Sequence, residues 1–230
     1  MLSAPVLHAL RFKGELRTPV GKLGIERNDV LRWSIYGLLK TKFSYMRMLD
    51  SIQFRNYSRS TILDVGANLG DFTMAASKST RKIISVEPGQ ENFAILRSNL
   101  RINSLKQVMP LNLAAHDSSE DLSLAGGGAD LSVSDFNGGE RTKGVPLDDV
   151  LTLHDIDYVD MVKIDVQGHE IKVLHGLSDY LKRRRIGLAI VEVHAHRNVK
   201  SSDVVSFMQS YGYQLVATDH VFGRPQLYFE

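Results

Sequence analysis

Apolar residues cluster along this chain in short runs rather than in simple alternation, the pattern of strands buried on both faces of a sheet. Such runs predict strands over 61–66, 82–87, 108–115, 159–166 and 186–193. Helix-compatible spacing lies between or after them, over 72–79, 90–103, 170–174, 177–182 and 203–211. Strand and helix in alternation imply an α/β fold, a parallel sheet with helices on both faces. The last two runs, 214–217 and 226–229, are close enough to pair as an antiparallel hairpin. Residues 121–124 and 131–136 are strand-like but sit among Gly126-Gly127-Gly128 and Gly138-Gly139, which reads as a flexible insertion or a lid. Ahead of the first strand, Val30, Leu31, Trp33, Ile35, Leu38 and Leu39 fit one helix, and a second is expected over 45–54. Residues 1–25, with Pro5, Gly14, Pro19, Gly21 and Gly24, read as an irregular arm. The expected division is an arm with cap helices over 1–58 and a main domain over 59–230.

Composition narrows the class. With 230 residues, 43% hydrophobic and 23% charged, the chain fits one globular domain with an appendage. It contains no cysteine, which excludes disulfides and thiolate metal sites. No apolar stretch approaches the roughly 20 residues of a membrane span and no signal-peptide core stands out, so a cytoplasmic location is expected. The net charge of +2 hides an asymmetry: residues 1–60 sum to +7 and residues 61–230 to −5. Arg11, Lys13, Arg17, Lys22, Arg27, Arg32, Lys40, Lys42 and Arg47 could meet an anionic partner such as RNA, a phosphorylated substrate or a membrane surface; a solvated helix face is the alternative.

The most informative chemistry follows the first strand. In Asp64-Val65-Gly66-Ala67-Asn68-Leu69-Gly70, the glycines let the backbone turn sharply and approach a ligand. Glu87 stands at the end of the next strand, about 20 residues on, where a nucleoside's ribose hydroxyls need an acceptor. A dinucleotide fold would instead show Gly-x-Gly-x-x-Gly and seat a pyrophosphate, which the carboxylate of Asp64 disfavours. The same carboxylate suits an ammonium group, and S-adenosylmethionine carries one. That cofactor is therefore expected, and an NAD-dependent oxidoreductase is disfavoured.

Ligands of open α/β sheets bind beyond the carboxyl ends of the strands. Polar residues just after the apolar runs are Asp64, Glu87, His116 with Asp117, Asp165 with Gln167, and Glu192 with His194 and His196. Asp165 should face the cofactor's methyl end or the incoming substrate, and Lys163, two residues earlier on the same strand face, could pair with it. Transfer of an activated methyl group needs alignment of the nucleophile and, for a hydroxyl, removal of its proton. His194 and His196 are candidate bases, with Asp165 as rival. Asp165, Glu192 and His194 could together hold a hard metal ion, yet acidic strand ends are needed for the cofactor in any case, and no metal is assigned. His116 is read as cofactor-side or structural. Arg183-Arg184-Arg185 sits at a helix C-terminus, where cations oppose the macrodipole.

Several of these segments together resemble the FkbM family of S-adenosylmethionine-dependent methyltransferases. They are Asp64-Val65-Gly66-Ala67-Asn68-x-Gly70, Val86-Glu87-Pro88, Asn112-Leu113-Ala114-Ala115-x-Asp117, Pro146-Leu147-Asp148-Asp149, and Lys163-Ile164-Asp165-Val166-Gln167-Gly168-His169-Glu170 with Val173-Leu174-x-Gly176. The resemblance runs from about residue 61 to 194. It implies a Rossmann-like fold, a seven-stranded and mostly parallel sheet, and O-methylation of a small molecule or sugar-containing compound. By position it puts Asp64, Gly66, Asn68 and Gly70 at the methionine moiety, Glu87 at the ribose, Ala115 and Asp117 on the adenine side, and Asp165 at the transfer region. Asp165, His194, Lys163 and Glu192 are the catalytic candidates. Gln167 departs from the pattern, because the family usually has an acidic residue there.

Three functions follow. The leading one is methylation of a hydroxyl on a small-molecule or sugar-containing substrate. The second keeps the chemistry and moves it to a ribose 2′-oxygen of RNA, reached through the basic arm. The third is a non-catalytic cofactor- or RNA-binding subunit.

Overall fold

The computed structural model describes residues 14–17, 22–25, 60–78, 80–134, 139–221 and 223–230. Five parallel strands form the centre: β3 (Thr61–Val65), β4 (Lys82–Val86), β5 (Val108–Leu111), β10 (Val159–Ile164) and β11 (Ile186–Glu192). The terminal hairpin, β12 (Leu215–Val221) and β13 (Arg224–Phe229), joins antiparallel to β11. The order β12-β13-β11-β10-β3-β4-β5 makes a seven-stranded, Rossmann-like sheet. Strand order reverses between β3 and β10, where Asp64 lies opposite Lys163 and Val65 opposite Ile164. That reversal opens the crevice in which α/β folds bind ligands.

The central strands β3, β4, β10 and β11 are buried on both faces by helices. Ile62, Ile83, Met161 and Ile190 pack with Phe72 of α1 (Asp71–Ala76) and Leu96 and Leu100 of α2 (Gln90–Ile102). Their neighbours Leu63, Val65, Ile84, Val162 and Val191 face the other way. That layer holds Leu147 and Leu151 of α3 (Leu147–Leu153), Val173 and Leu174 of α4 (Glu170–His175), Leu181 of α5 (Ser178–Lys182), and Val204 and Met208 of α6 (Ser201–Ser210). The two-residue alternation therefore sends Asp64 and Lys163 to the α1 side, among apolar neighbours.

Three expectations change. The single strand expected over 108–115 is broken: β5 stops at Leu111, and β6 (Ala114–Ala115) pairs with β9 (Glu140–Val145) in another sheet. Between them the Asn112 amide donates to the carbonyl oxygens of Glu87, at 2.9 Å, and Pro88, at 3.0 Å, which turns the chain out of the large sheet. The loose insertion is a four-stranded sheet in the order β6-β9-β7-β8, with β7 (Glu120–Ala125) and β8 (Ser132–Ser134) antiparallel. Neither β9 nor α3 is expected from the pattern. Within the supposedly irregular arm, β1 (Gly14–Arg17) and β2 (Lys22–Ile25) form an antiparallel pair. Asn103, just after α2, fixes it by accepting from the Lys22 N–H at 2.8 Å and donating to the Lys22 carbonyl at 2.7 Å. The two helices expected over 29–54 lie outside the described residues. Of the arm's basic residues, Arg17 and Lys22 are described and the others are not.

Candidate functional site

After β3 the chain makes its turn through left-handed conformations at Gly66 (φ 78°), Asn68 (φ 50°) and Gly70 (φ 94°). A Cβ on Gly66 would stand 1.9 Å from the Asp165 carbonyl oxygen, so the two strand ends touch because the residue is glycine. The Gly66 and Ala67 N–H groups both reach the Val86 carbonyl, each at 2.9 Å. The next N–H, of Asn68, donates to Glu87 Oε2 at 2.9 Å, while Glu87 Oε1 accepts from Gly89 N–H at 3.1 Å and the Asn92 amide at 3.3 Å. Burial raises the Glu87 carboxyl to a pKa of about 7, against the pull of these hydrogen bonds and of Lys163.

Gly66, Ala67, Asn68, Val86, Glu87 and Asn92 line a cavity of about 360 Å³ that continues past Ala115, Leu131 and Lys163 to Asp165, Gln167, His169 and Arg224, whereas Gly70, expected at the cofactor, shapes the turn from outside the lining. Gly128 and Asp130 to Val133 form part of its wall, so the insertion covers one side of the crevice. Asn92 joins the two parts by donating also to the Gly128 carbonyl at 2.9 Å. Two buried acceptors in this wall, Asn68 Oδ1 and Gln167 Oε1, have no hydrogen-bond partner among the described residues. Buried orphan acceptors are costly unless a ligand brings donors. A nucleoside with an ammonium tail does so: Glu87 suits ribose hydroxyls and the orphan oxygens suit N–H groups. The residues present fit S-adenosylmethionine.

Asp64 is fully buried and lies behind this wall. Its Oδ2 accepts from Thr73 Oγ1 at 2.6 Å, and its Oδ1 is 3.3 Å from Lys163 Nζ. Lys163 also donates to the Gly66 carbonyl at 3.0 Å and stands 3.7 Å from Asp165 Oδ2. The expected pairing of Lys163 with Asp165 is present, but Asp64 meets a lysine of its own chain where a ligand's ammonium was expected. It therefore acts on the cavity through Lys163 and the glycine turn.

Beyond Asp165 lies a second buried group. His194 and Glu170 are both fully buried, with His194 Nδ1 2.6 Å from Glu170 Oε1. The other ring nitrogen, Nε2, is 3.2 Å from Arg224 Nη1, 3.6 Å from Asp165 Oδ1 and 3.8 Å from Glu192 Oε1. Arginine is always a donor, so Nε2 carries the lone pair and Nδ1–H donates to Glu170. Glu192 accepts from Arg224 Nη1 at 3.4 Å and from the Gln226 amide at 3.0 Å.

The four catalytic candidates thus converge, though Asp165 and Lys163 reach the wall while His194 and Glu192 lie behind Arg224. Asp165, Glu192 and His194 are close enough to share a cation, and His116, Asp117 and Glu120 form a second such group away from the cavity. Ala115 lines the cavity as expected. Asp117 does not: it binds Lys172 at 2.8 Å and His116 Nδ1 at 2.9 Å, outside the wall. The side chain of His196 lies outside the described residues. Two residues were missed. Glu170 reads as a helix-start acid until the fold brings His194 to it. Arg224 sits in a hairpin with no motif, and its signal is one of register: Gln226 pairs with Glu192, which sets Arg224 opposite His194.

Fold and crevice define a class I-type, Rossmann-like methyltransferase that uses S-adenosylmethionine. A methyltransferase from Aquifex aeolicus superposes with a TM-score of 0.54 at 14% identity, covering 86% of this chain and 96% of that one. TrmK of M. capricolum, solved with S-adenosylhomocysteine, gives 0.51 at 13%, covering 80% and 67%. At such identities the likeness concerns the fold. The methyltransferase FkbM domain model matches residues 64–215, and the chain belongs to that family. It is also 30% identical over 176 residues to the hexuronic acid methyltransferase AglP of Haloferax volcanii, covering 71% of this chain and 70% of that one.

Proposed function

We propose that this methyltransferase acts on a hydroxyl oxygen of a sugar-containing acceptor. The carrying observation is the row Glu170–His194–Asp165, in which His194 Nε2 stands 3.6 Å from the cavity-lining Asp165. A relative that methylates a hexuronic acid supports a sugar acceptor.

Residues Gly66, Asn68 and Gln167 would hold the methionine moiety, Glu87 the ribose and Ala115 the adenine. The bound cofactor supplies an electrophilic methyl group on a sulfonium. Asp165 and Lys163 fix the acceptor in line with it. His194 Nε2 would take the proton of the acceptor's hydroxyl as its oxygen is methylated. Glu170, 2.6 Å from Nδ1, holds the ring in place while Nε2 takes the proton. Glu192 anchors Arg224 and Gln226 around the base. No described helix is long and apolar enough to cross a membrane.

A hexuronic acid offers a carboxylate as well as hydroxyls, so the test must distinguish an ether from an ester. Wild-type protein is incubated with methyl-labelled cofactor and a panel of neutral and acidic pyranosides. Alkali-stable label is the expected result. Label that is released entirely by mild alkali, as from an ester, would overturn the hydroxyl reading.

A further inference from the structure

We infer that Arg224 is the receptor for a carboxylate on the acceptor, and that engaging it uncovers the base. This rests on the reading of His194 as that base. Among the described residues, the Arg224 guanidinium bonds through Nη1 alone, to Glu192 and His194. Its Nη2 and Nε remain, and together they form the edge that grips a carboxylate in a bidentate manner. The side chain is 26% exposed and belongs to the cavity wall, whereas the Glu192 beneath it is 2% exposed and does not. An incoming anion therefore meets the cation before the buried carboxylate.

The rest of this end of the cavity is compatible with an anion. Gln167, 8% exposed and held at φ 56°, presents a neutral amide whose oxygen has no partner among the described residues. Asp165 also faces the cavity, but its charge is shared with Lys163 Nζ, 3.7 Å away.

One contact stands against catalysis as drawn: Arg224 Nη1 occupies the Nε2 lone pair that must receive the proton. A carboxylate that draws the guanidinium toward the cavity resolves this, since it releases Nε2 when an acidic acceptor is in place. Arg224 thus selects acidic sugars in two ways, by binding them and by freeing His194 for them.

The test compares methyl β-D-glucuronoside with methyl β-D-glucoside. Wild-type protein should favour the glucuronoside in kcat/KM. In Arg224→Gln that ratio should fall about 10- to 100-fold, the loss expected for a hydrogen bond to a charged group. Arg224→Lys, which keeps the charge without the fork, should restore only part of it. Equal use of the two glycosides by the wild type, or a ratio unchanged in Arg224→Gln, overturns the inference while leaving hydroxyl methylation intact. Calorimetry with the protein saturated in S-adenosylhomocysteine gives a second readout that needs no turnover. Glucuronoside binding should weaken in Arg224→Gln, and equal binding by both proteins overturns the inference even if neither glycoside is methylated.

Discussion

His194 donates its Nδ1 proton to Glu170 across 2.6 Å in a place where both side chains are fully buried. A carboxylate in that position fixes the ring's tautomer and orientation, so Glu170 is a positioning residue as well as the acid that starts α4. Glu170→Gln keeps the size and an accepting oxygen but removes the charge. We expect kcat to fall about 10- to 100-fold, less than the roughly 100- to 10,000-fold that general-base catalysis supplies as a whole, because the base itself remains. Cofactor affinity and the acceptor KM should be little changed, so that the loss lies in kcat. A loss shared by cofactor affinity and by the urea midpoint would mean that Glu170 supports the fold without acting on the base.

Glu87 makes the cofactor site sensitive to pH. Its pKa is about 7 in the folded protein against an ordinary 4.5, chiefly because burial disfavours the charged form. A raised folded value contributes stability that is full below 4.5 and is lost as pH rises through 7. Without cofactor, the wild type should therefore lose up to about 3 kcal/mol relative to Glu87→Gln between pH 4.5 and pH 7. Ribose hydroxyls donate to the ionised form, so cofactor binding should weaken as pH falls below 7 and should release protons there. Denaturant melts and calorimetry across pH 5 to 8 check both slopes. Equal slopes in the two proteins would assign the dependence elsewhere.

The glycine turn separates steric from conformational cost. Gly66→Ala puts a Cβ 1.9 Å from the Asp165 carbonyl at φ 78°, whereas Gly223→Ala meets nothing within 4 Å at φ 79°. The second should cost about 1–2 kcal/mol, the left-handed penalty alone. The first adds a backbone clash between β3 and β10, and should cost at least about 1–3 kcal/mol more and abolish cofactor binding. Urea melts of the two variants give the comparison.

Residues that lie at strand ends were legible because chain order places them. Gly66 to Gly70, Glu87 and Asp165 follow apolar runs, and any parallel sheet brings those ends to one edge. What Asp64 touches was not legible: its side lies on the α1 face, and the partner there, Lys163, depends on β10 packing beside β3 in a given register. The pairing of His194 with Glu170 and the arrival of Arg224 are likewise products of tertiary register, across 24 and 30 residues. The break between β5 and β6 escaped because Val108 to Ala115 is one apolar stretch, and the Asn112 contacts that divide it are not periodic.

Lys163 is where fold and site are most tightly joined, and its removal should expose that link. Its ammonium lies 3.3 Å from Asp64 and 3.7 Å from Asp165, and it donates to the Gly66 carbonyl. Asp64 is wholly buried, so Lys163→Met would leave a charge with no cation beside it. Breaking a buried pair from one side costs about 3–5 kcal/mol, most of it the stranded charge. Asp64→Asn in the same chain removes that charge, and the Thr73 hydroxyl can still donate to the amide oxygen. The double variant Asp64→Asn/Lys163→Met should therefore recover most of the lost stability, while methyl transfer stays low because Asp165 no longer has its lysine. A double variant as unstable as Lys163→Met alone would show that the lysine supports the fold through Gly66 rather than by neutralising Asp64. Urea unfolding of the two single variants and the double one, read as a cycle, separates these outcomes.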